Sequence, residues 1–210
     1  RDIAIMSREL ILNHPAIRNY TTIWMDSLRG GAFGLSNTNK LIRFYEGATG
    51  LKTGSTDAAK YCISATAERD GMELIAVVLK APTSQQRFDD AKVLLNYGFA
   101  AYTLQTVTPE APLPPLPVTQ GECAEVAIAP PQRSVLLKKS DLSAMRQEIH
   151  LPESVPAPVE QGEQLGTLSL YAGDALLTEI PLTAAESVDV LTWQTMLLRL
   201  WRFGLYAPLP

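Results

Sequence analysis

Gly50-Leu51-Lys52-Thr53-Gly54-Ser55-Thr56-Asp57 is the stretch on which the fold of this chain turns. Gly50 to Thr56 reads as a strand, and the residues after it supply neighbours. Tyr61 to Glu68 alternates and is compatible with a second strand. Asp70-Gly71 is a two-residue hairpin signal, since such a turn needs positive φ at both central positions. Residues 73–79, Glu-Leu-Ile-Ala-Val-Val-Leu, are apolar enough to predict a central, buried strand. Pro82-Thr83-Ser84 then offers a helix start, with Thr83 or Ser84 as cap. Phe88, Ala91, Leu94, Leu95, Gly98, Phe99 and Tyr102 follow at helical spacing. Strands backed by a long helix predict an α/β domain.

Upstream, Ile3, Met6 and Leu10 fall on one face of a helix over 2–12, which His14-Pro15 ends. Residues 16–46 are mixed. Gly30-Gly31 marks a turn, and Ser36-Asn37-Thr38-Asn39 a polar loop. The chain opens at Arg1, inside the helical pattern, which leads to the expectation of a fragment.

Downstream, Thr106 to Gln120 holds Pro109, Pro112, Pro114, Pro115 and Pro117, and reads as a stiff linker or an extended edge. Short alternating stretches recur at 125–129, 134–138, 145–151, 165–171 and 175–182, separated by turn residues, as in a small β-sandwich. Residues 187–205 read as a last helix with Val190, Trp193, Leu197, Leu200, Trp201 and Gly204 in one stripe. Its length approaches what a bilayer crossing needs, but Asp189, Gln194, Arg199 and Arg202 interrupt it. An amphipathic helix lying in a membrane interface fits better, with a helix packed on its own domain as the alternative. The expected organisation is an α/β domain over 1–106, a proline-rich linker over 107–120, a β-rich domain over 121–183, and the amphipathic helix over 184–210.

With 46% apolar residues the chain can bury a sizeable core, and a net charge of -4 gives no sign of a nucleic-acid partner. The two cysteines, Cys62 and Cys123, fit no metal spacing, and a disulfide between them is not expected. Nothing in the pattern calls for a cofactor. No basic, apolar start reads as a signal peptide. His14 and His150 read as surface residues, Glu68 and Asp70 as hairpin polarity, and Cys62 as a buried thiol.

Lys-Thr-Gly on a strand suits acyl transfer. An extended peptide can pair with an exposed strand edge. Gly54 lets a scissile carbonyl approach closely, and Lys52 brings a fixed positive charge. Thr53 and Thr56 offer hydroxyls, and the Ser55 N–H can form half of an oxyanion hole. Lys-Thr-Gly is also the third element of a motif set used by serine enzymes that act on penicillins.

The stretch from Arg1 to about Tyr102 resembles the later half of the catalytic domain of the low-molecular-mass penicillin-binding proteins, the serine-type D-Ala-D-Ala carboxypeptidases. The residues that carry the resemblance are Asn37-Thr38-Asn39-Lys40-Leu41, Gly50 to Thr56, Leu74-Ile75-Ala76-Val77-Val78, Arg87, and Leu94-Leu95-Asn96-Tyr97-Gly98-Phe99. It implies an incomplete transpeptidase domain of the penicillin-binding and β-lactamase type, an antiparallel sheet with helices. A small all-β sandwich and a C-terminal amphipathic helix follow. It implies that Lys52 contacts substrate and that Thr56 and Arg87 hold its terminal carboxylate, while Asn37 and Asn39 either hold their loop together or touch substrate. The implied partners are a peptidoglycan stem peptide ending in D-Ala-D-Ala, β-lactam antibiotics, a missing N-terminal part, and a membrane surface met by the last helix. The implied place is the cell envelope, at the outer face of the cytoplasmic membrane.

The family's other two motifs, Ser-x-x-Lys and Ser-x-Asn, do not occur in this sequence. The chain is therefore expected to supply a substrate-binding wall without the nucleophile, and to be inactive alone. A non-catalytic peptidoglycan-binding protein of the same fold is the alternative, and a β-lactamase a more remote one.

Overall fold

The hairpin expected at Asp70-Gly71 forms, and a second hairpin joins it at the heart of the first unit. The computed structural model describes residues 1–131 and 133–206, with side chains through Trp201. The chain divides into two units, Arg1–Leu104 with Leu136–Lys139, and Gln105–Val135 with the chain from Ser140 onward.

In the first unit, α1 (Asp2–Asn13) and the short α2 (Arg18–Thr21) precede a hairpin of β1 (Met25–Leu28) and β2 (Phe33–Ser36). The turn of α3 (Leu41–Phe44) leads into β3 (Ala48–Thr56), β4 (Lys60–Arg69) and β5 (Met72–Ala81), and α4 (Ser84–Ala101) follows. The strands form a meander in the order β3-β4-β5. Asp70 and Gly71 take φ of 50° and 75°, which aspartate tolerates and glycine, without a Cβ, adopts freely.

The central strand is β4, not β5. Two tight connections place the middle segment between its neighbours, whatever the apolar content of the third. The apolar run of β5 has a different cause: its two faces meet α4 and α1. Ile63, Ala65 and Ala67 of β4 join Ala76 and Val78 of β5 in a core with Phe88, Ala91 and Leu95 of α4. Each large side chain buried there contributes about 1.5–3 kcal/mol. Thr83 caps α4 as expected, its hydroxyl accepting from the Gln86 N–H at 3.1 Å. Leu94, expected on the buried stripe, points outward. At Gly98 a Cβ would stand 2.5 Å from Leu74 Cδ1, so glycine permits the close approach of helix and strand.

The buried face of α1 also differs from expectation. Ile3 and Met6 are exposed, and Ser7 and Ile11 are buried. This helix is apolar on two sides, so periodicity does not choose between them. A hydrogen bond does: Ser7 Oγ lies 2.7 Å from Ser64 Oγ of β4. Behind α1, Arg18 joins α2 to the sheet through ion pairs to Glu68, at 2.9 Å, and to Glu73. Glu68 thus has a structural partner, in line with its reading as hairpin polarity.

The remaining strands are β6 (Tyr102–Val107), β7 (Leu116–Thr119), β8 (Glu125–Val126), β9 (Ile128–Ala129), β10 (Arg133–Lys138), β11 (Met145–His150), β12 (Val155–Pro156), β13 (Gln164–Ala172) and β14 (Ala175–Ala184). β6 pairs with β10. In the second unit a four-stranded sheet, β11-β13-β14-β9, and a three-stranded one, β12-β7-β8, share one core. Val126 faces it from the smaller sheet, and Leu168, Leu170, Ile180 and Leu182 from the larger. The stretch at 125–129 is two strands: the chain changes sheet at Ala127, and Val126 and Ile128 both stay buried. In the proline-rich stretch β7 runs between two partners rather than along an edge, with Leu116 and Val118 in the core.

The last helix, α5, spans Trp193–Tyr206 and begins later than expected. Val188 and Val190 are spent on extended pairings with Val159 and Gly121. Thr192 and Thr195 then cap the helix, the Thr195 N–H donating to Thr192 Oγ at 3.2 Å. The described apolar side chains of α5 are exposed, among them Trp193, Leu197, Leu200 and Trp201. The expectations for the side chains of Arg202 and Gly204, and for residues 207–210, fall outside the described residues.

Candidate functional site

The order β3-β4-β5 leaves the outer edge of β3 without a strand partner among the described residues. Where β3 begins, its backbone is already engaged. The Thr49 carbonyl accepts from Thr21 Oγ at 2.7 Å, and the Gly50 carbonyl from Asn39 Nδ2 at 2.9 Å. Further along, Lys52, Gly54, Ser55 and Thr56 are exposed. A Cβ built on Gly54 meets no protein atom within 4 Å. The glycine therefore answers no crowding from its own fold, and leaves room for something to lie against the strand.

Alternation along β3 separates the motif residues. Lys52 is exposed, its ammonium turned to the Thr53 carbonyl. Thr53 is buried, and its hydroxyl lies 2.7 Å from that of Thr38. Thr56 closes the hairpin to β4, its hydroxyl accepting from the Ala59 N–H at 2.9 Å.

Arg87, in the first turn of α4, comes to the same place from beneath. It is only 7% exposed. Its Nη1 donates to the carbonyls of Gly54 and Cys62, both at 3.4 Å, and its Nη2 to Ser84 Oγ at 3.2 Å. The guanidinium also lies over the rings of Phe88 and Tyr61, at 4.7 and 5.5 Å. Its Nε finds no hydrogen-bond partner. Among the described residues no carboxylate stands within ion-pair distance of it. Burial lowers its pKa, while Tyr61 and Cys62 act in the opposite sense. Beside it Ser55, Thr56, Asp57, Lys60, Tyr61 and Pro82 line a shallow polar depression of about 360 Å³.

Of the two readings of the asparagine loop, the hydrogen bonds take the structural one. Asn39 is 2% exposed; it donates to the Gly50 carbonyl and accepts from the Leu41 N–H at 3.1 Å. Asn37 donates to the carbonyls of Thr21 and Ile23 and accepts from the Asn39 N–H at 2.9 Å. Asn39 thus ties the loop to the first part of β3, and Asn37 ties the loop to Thr21 and Ile23. Sequence reasoning missed Thr38, Ser7 and Arg18 as partners of this sheet. No local pattern marks them, because each acts across a long separation. Cys62 is half-buried rather than buried, its Sγ between the Ala59 carbonyl and the Lys80 N–H, and both cysteines are free. His14 and His150 are exposed.

An edge strand bearing Lys-Thr-Gly, backed by a long helix and followed by a β-sandwich and a terminal helix, is the architecture of the low-molecular-mass penicillin-binding proteins. Residues 1–83 match the family model of the D-alanyl-D-alanine carboxypeptidases, and residues 110–190 match that of the penicillin-binding protein 5 C-terminal domain. Among curated proteins it is 34% identical to the D-alanyl-D-alanine carboxypeptidase DacF of Bacillus subtilis, over 94% of this chain and 52% of that one. It is 29% identical to DacC of Escherichia coli, another D-alanyl-D-alanine carboxypeptidase, over 90% of this chain and 48% of the relative. The chain thus spans about half the length of the curated relatives it matches. Its fold is that of penicillin binding protein 5 from Haemophilus influenzae, with a TM-score of 0.71 and 22% identity over 90% of this chain and 56% of the other.

Proposed function

We propose that the protein to which this chain belongs is a serine-type D-Ala-D-Ala carboxypeptidase of the cell envelope. It removes the terminal D-Ala from peptidoglycan stem peptides through an acyl-enzyme and binds penicillins at the same site. The chain contributes the wall along which substrate lies. The observation that carries this reading is the open Lys-Thr-Gly edge of β3 beside a buried Arg87 that has no carboxylate partner among the described residues.

A peptide ending in D-Ala-D-Ala adds to β3 as an extra strand, its backbone pairing with the free edge. Its carboxylate is held at the Thr56 hydroxyl, with the Arg87 cation behind, a charge-assisted arrangement stronger than neutral hydrogen bonds. Gly54 gives the scissile carbonyl room. The Ser55 N–H then donates to the oxyanion as the tetrahedral intermediate forms, a contribution of about 3 kcal/mol for one such donor. Lys52 keeps a positive charge beside the reacting centre. The nucleophilic serine and its base come from a part of the whole protein outside this sequence, which has no Ser-x-x-Lys. Loss of such a serine costs about a million-fold in turnover in a comparable serine hydrolase, so the chain alone is inactive. The exposed apolar stripe of α5, with Arg199 among its polar residues, supports attachment to a membrane surface. Among the described residues no helix is long and apolar enough to cross a membrane.

The test is release of D-alanine from N,N-diacetyl-L-Lys-D-Ala-D-Ala by the whole protein. Release that falls sharply in Lys52→Ala supports the proposal. A whole protein that binds the peptide and releases nothing identifies a non-catalytic binding protein instead.

A further inference from the structure

Lys60 lines the depression beside Thr56 and has no part in the site described above. It lies directly opposite Thr56 in the β3–β4 register, so the two side chains are neighbours at the end of the hairpin. Its φ is 53°, in the left-handed region where glycine costs nothing and a side chain is strained. Among the described residues it has no carboxylate partner. The depression it lines carries the hydroxyls of Ser55 and Thr56, and Arg87 lies over the ring of Tyr61, another lining residue. Asp57 is the one carboxylate of that lining. The depression therefore carries one exposed lysine in its lining against one carboxylate, with the buried Arg87 over the ring of Tyr61.

We infer that Lys60 is a specificity-determining residue: its ammonium completes a seat for the terminal carboxylate of the peptide, and selects a free carboxylate over a blocked chain end. This rests on the reading of β3 as the substrate wall. Arg87 is nearly inaccessible and already directed at two backbone carbonyls, so it supplies charge from behind the strand. A carboxylate resting on Thr56 has a solvent-side face, and Lys60 is the cation placed to meet it. The strained backbone gives the idea a distinctive signature. Glycine at this position relieves strain and removes the cation, so stability and recognition move in opposite directions.

The experiment is an NMR titration of the 15N-labelled whole protein with N-acetyl-D-Ala-D-Ala and, separately, with its C-terminal amide, in low and high salt. Wild type, Lys60→Gly and Lys60→Gln are compared, with thermal midpoints recorded for each. The expected result is tighter binding of the acid than of the amide by wild type. Both variants should bind the acid roughly two- to five-fold more weakly, the range of an exposed charge pair, with the amide unchanged. The effect should shrink in high salt. Lys60→Gly should melt at a higher temperature than wild type while Lys60→Gln does not. If wild type prefers the acid and both variants keep that preference in full, the role of Lys60 is overturned and the wall stands. If neither ligand perturbs β3 in wild type, the wall itself falls, and the inference with it.

Discussion

Asn39→Ala should be among the most damaging single substitutions in the first unit, although Asn39 is a polar loop residue outside the Lys-Thr-Gly motif. Its amide donates to the Gly50 carbonyl at 2.9 Å and its side-chain oxygen accepts from the Leu41 N–H at 3.1 Å. Asn39 is 2% exposed, and Leu41 is 1% exposed in the core beneath the sheet. Alanine removes both bonds and leaves a carbonyl and an N–H poorly placed to recruit water. A buried polar group stranded in this way costs about 1–3 kcal/mol, so two cost about 2–4 kcal/mol after modest relaxation. Urea unfolding followed by far-UV circular dichroism, with Asn37→Ala alongside, measures this. Asn37 is less enclosed, so its loss should cost about half as much. The damage should also be visible at the site: backbone amides from Leu51 to Thr53 should lose protection against hydrogen exchange, because the anchor at Gly50 is gone. A cost below about 0.5 kcal/mol, within the range of ordinary surface substitutions, would refute the claim that Asn39 anchors β3.

Two further outcomes follow from the second unit. A Cβ on Gly166 would stand 2.5 Å from the His150 carbonyl oxygen, a backbone atom that cannot swing aside. Gly166→Ala should therefore lower stability by about 1–3 kcal/mol, as overpacking does, seen as a lower midpoint in calorimetry. Trp193 and Trp201 of α5 are each more than 70% exposed. On addition of anionic phosphatidylglycerol vesicles their emission should shift to the blue, and the chain should float with the vesicles; a chain ending at Thr192 should do neither. A full-length chain that stays with the protein-only fraction would count against membrane attachment.

Much of the fold was legible where a feature is local. Asp70-Gly71 announced its hairpin because few residues tolerate two successive positive φ values, and Thr83 its cap because a hydroxyl there meets free N–H groups. The change from an α/β pattern to short strands after the proline-rich stretch marked a β-sandwich for the same reason. What stayed hidden depends on partners far along the chain. The apolar content of β5 comes from being covered on both faces, not from a central place in the sheet, and the sequence of one strand cannot separate these causes. Ser7 faces inward only because Ser64 awaits it, fifty-seven residues away. Val188 and Val190 carry helix-compatible side chains but are held extended by Val159 and Gly121. At the candidate site, Lys-Thr-Gly was visible as a string. The burial of Arg87, the Thr38–Thr53 hydroxyl pair and the Asn39 anchor became visible only when the segments met.

The central claim is that this chain carries the binding wall of a penicillin-recognising site and not its nucleophile. Fluorescent penicillin, incubated with the chain and with the whole protein and resolved after denaturation, tests it most directly. The account predicts a covalently labelled band for the whole protein, displaced by excess unlabelled penicillin, and none for the chain. A labelled chain, with the label mapped to one of its own serines, would contradict it.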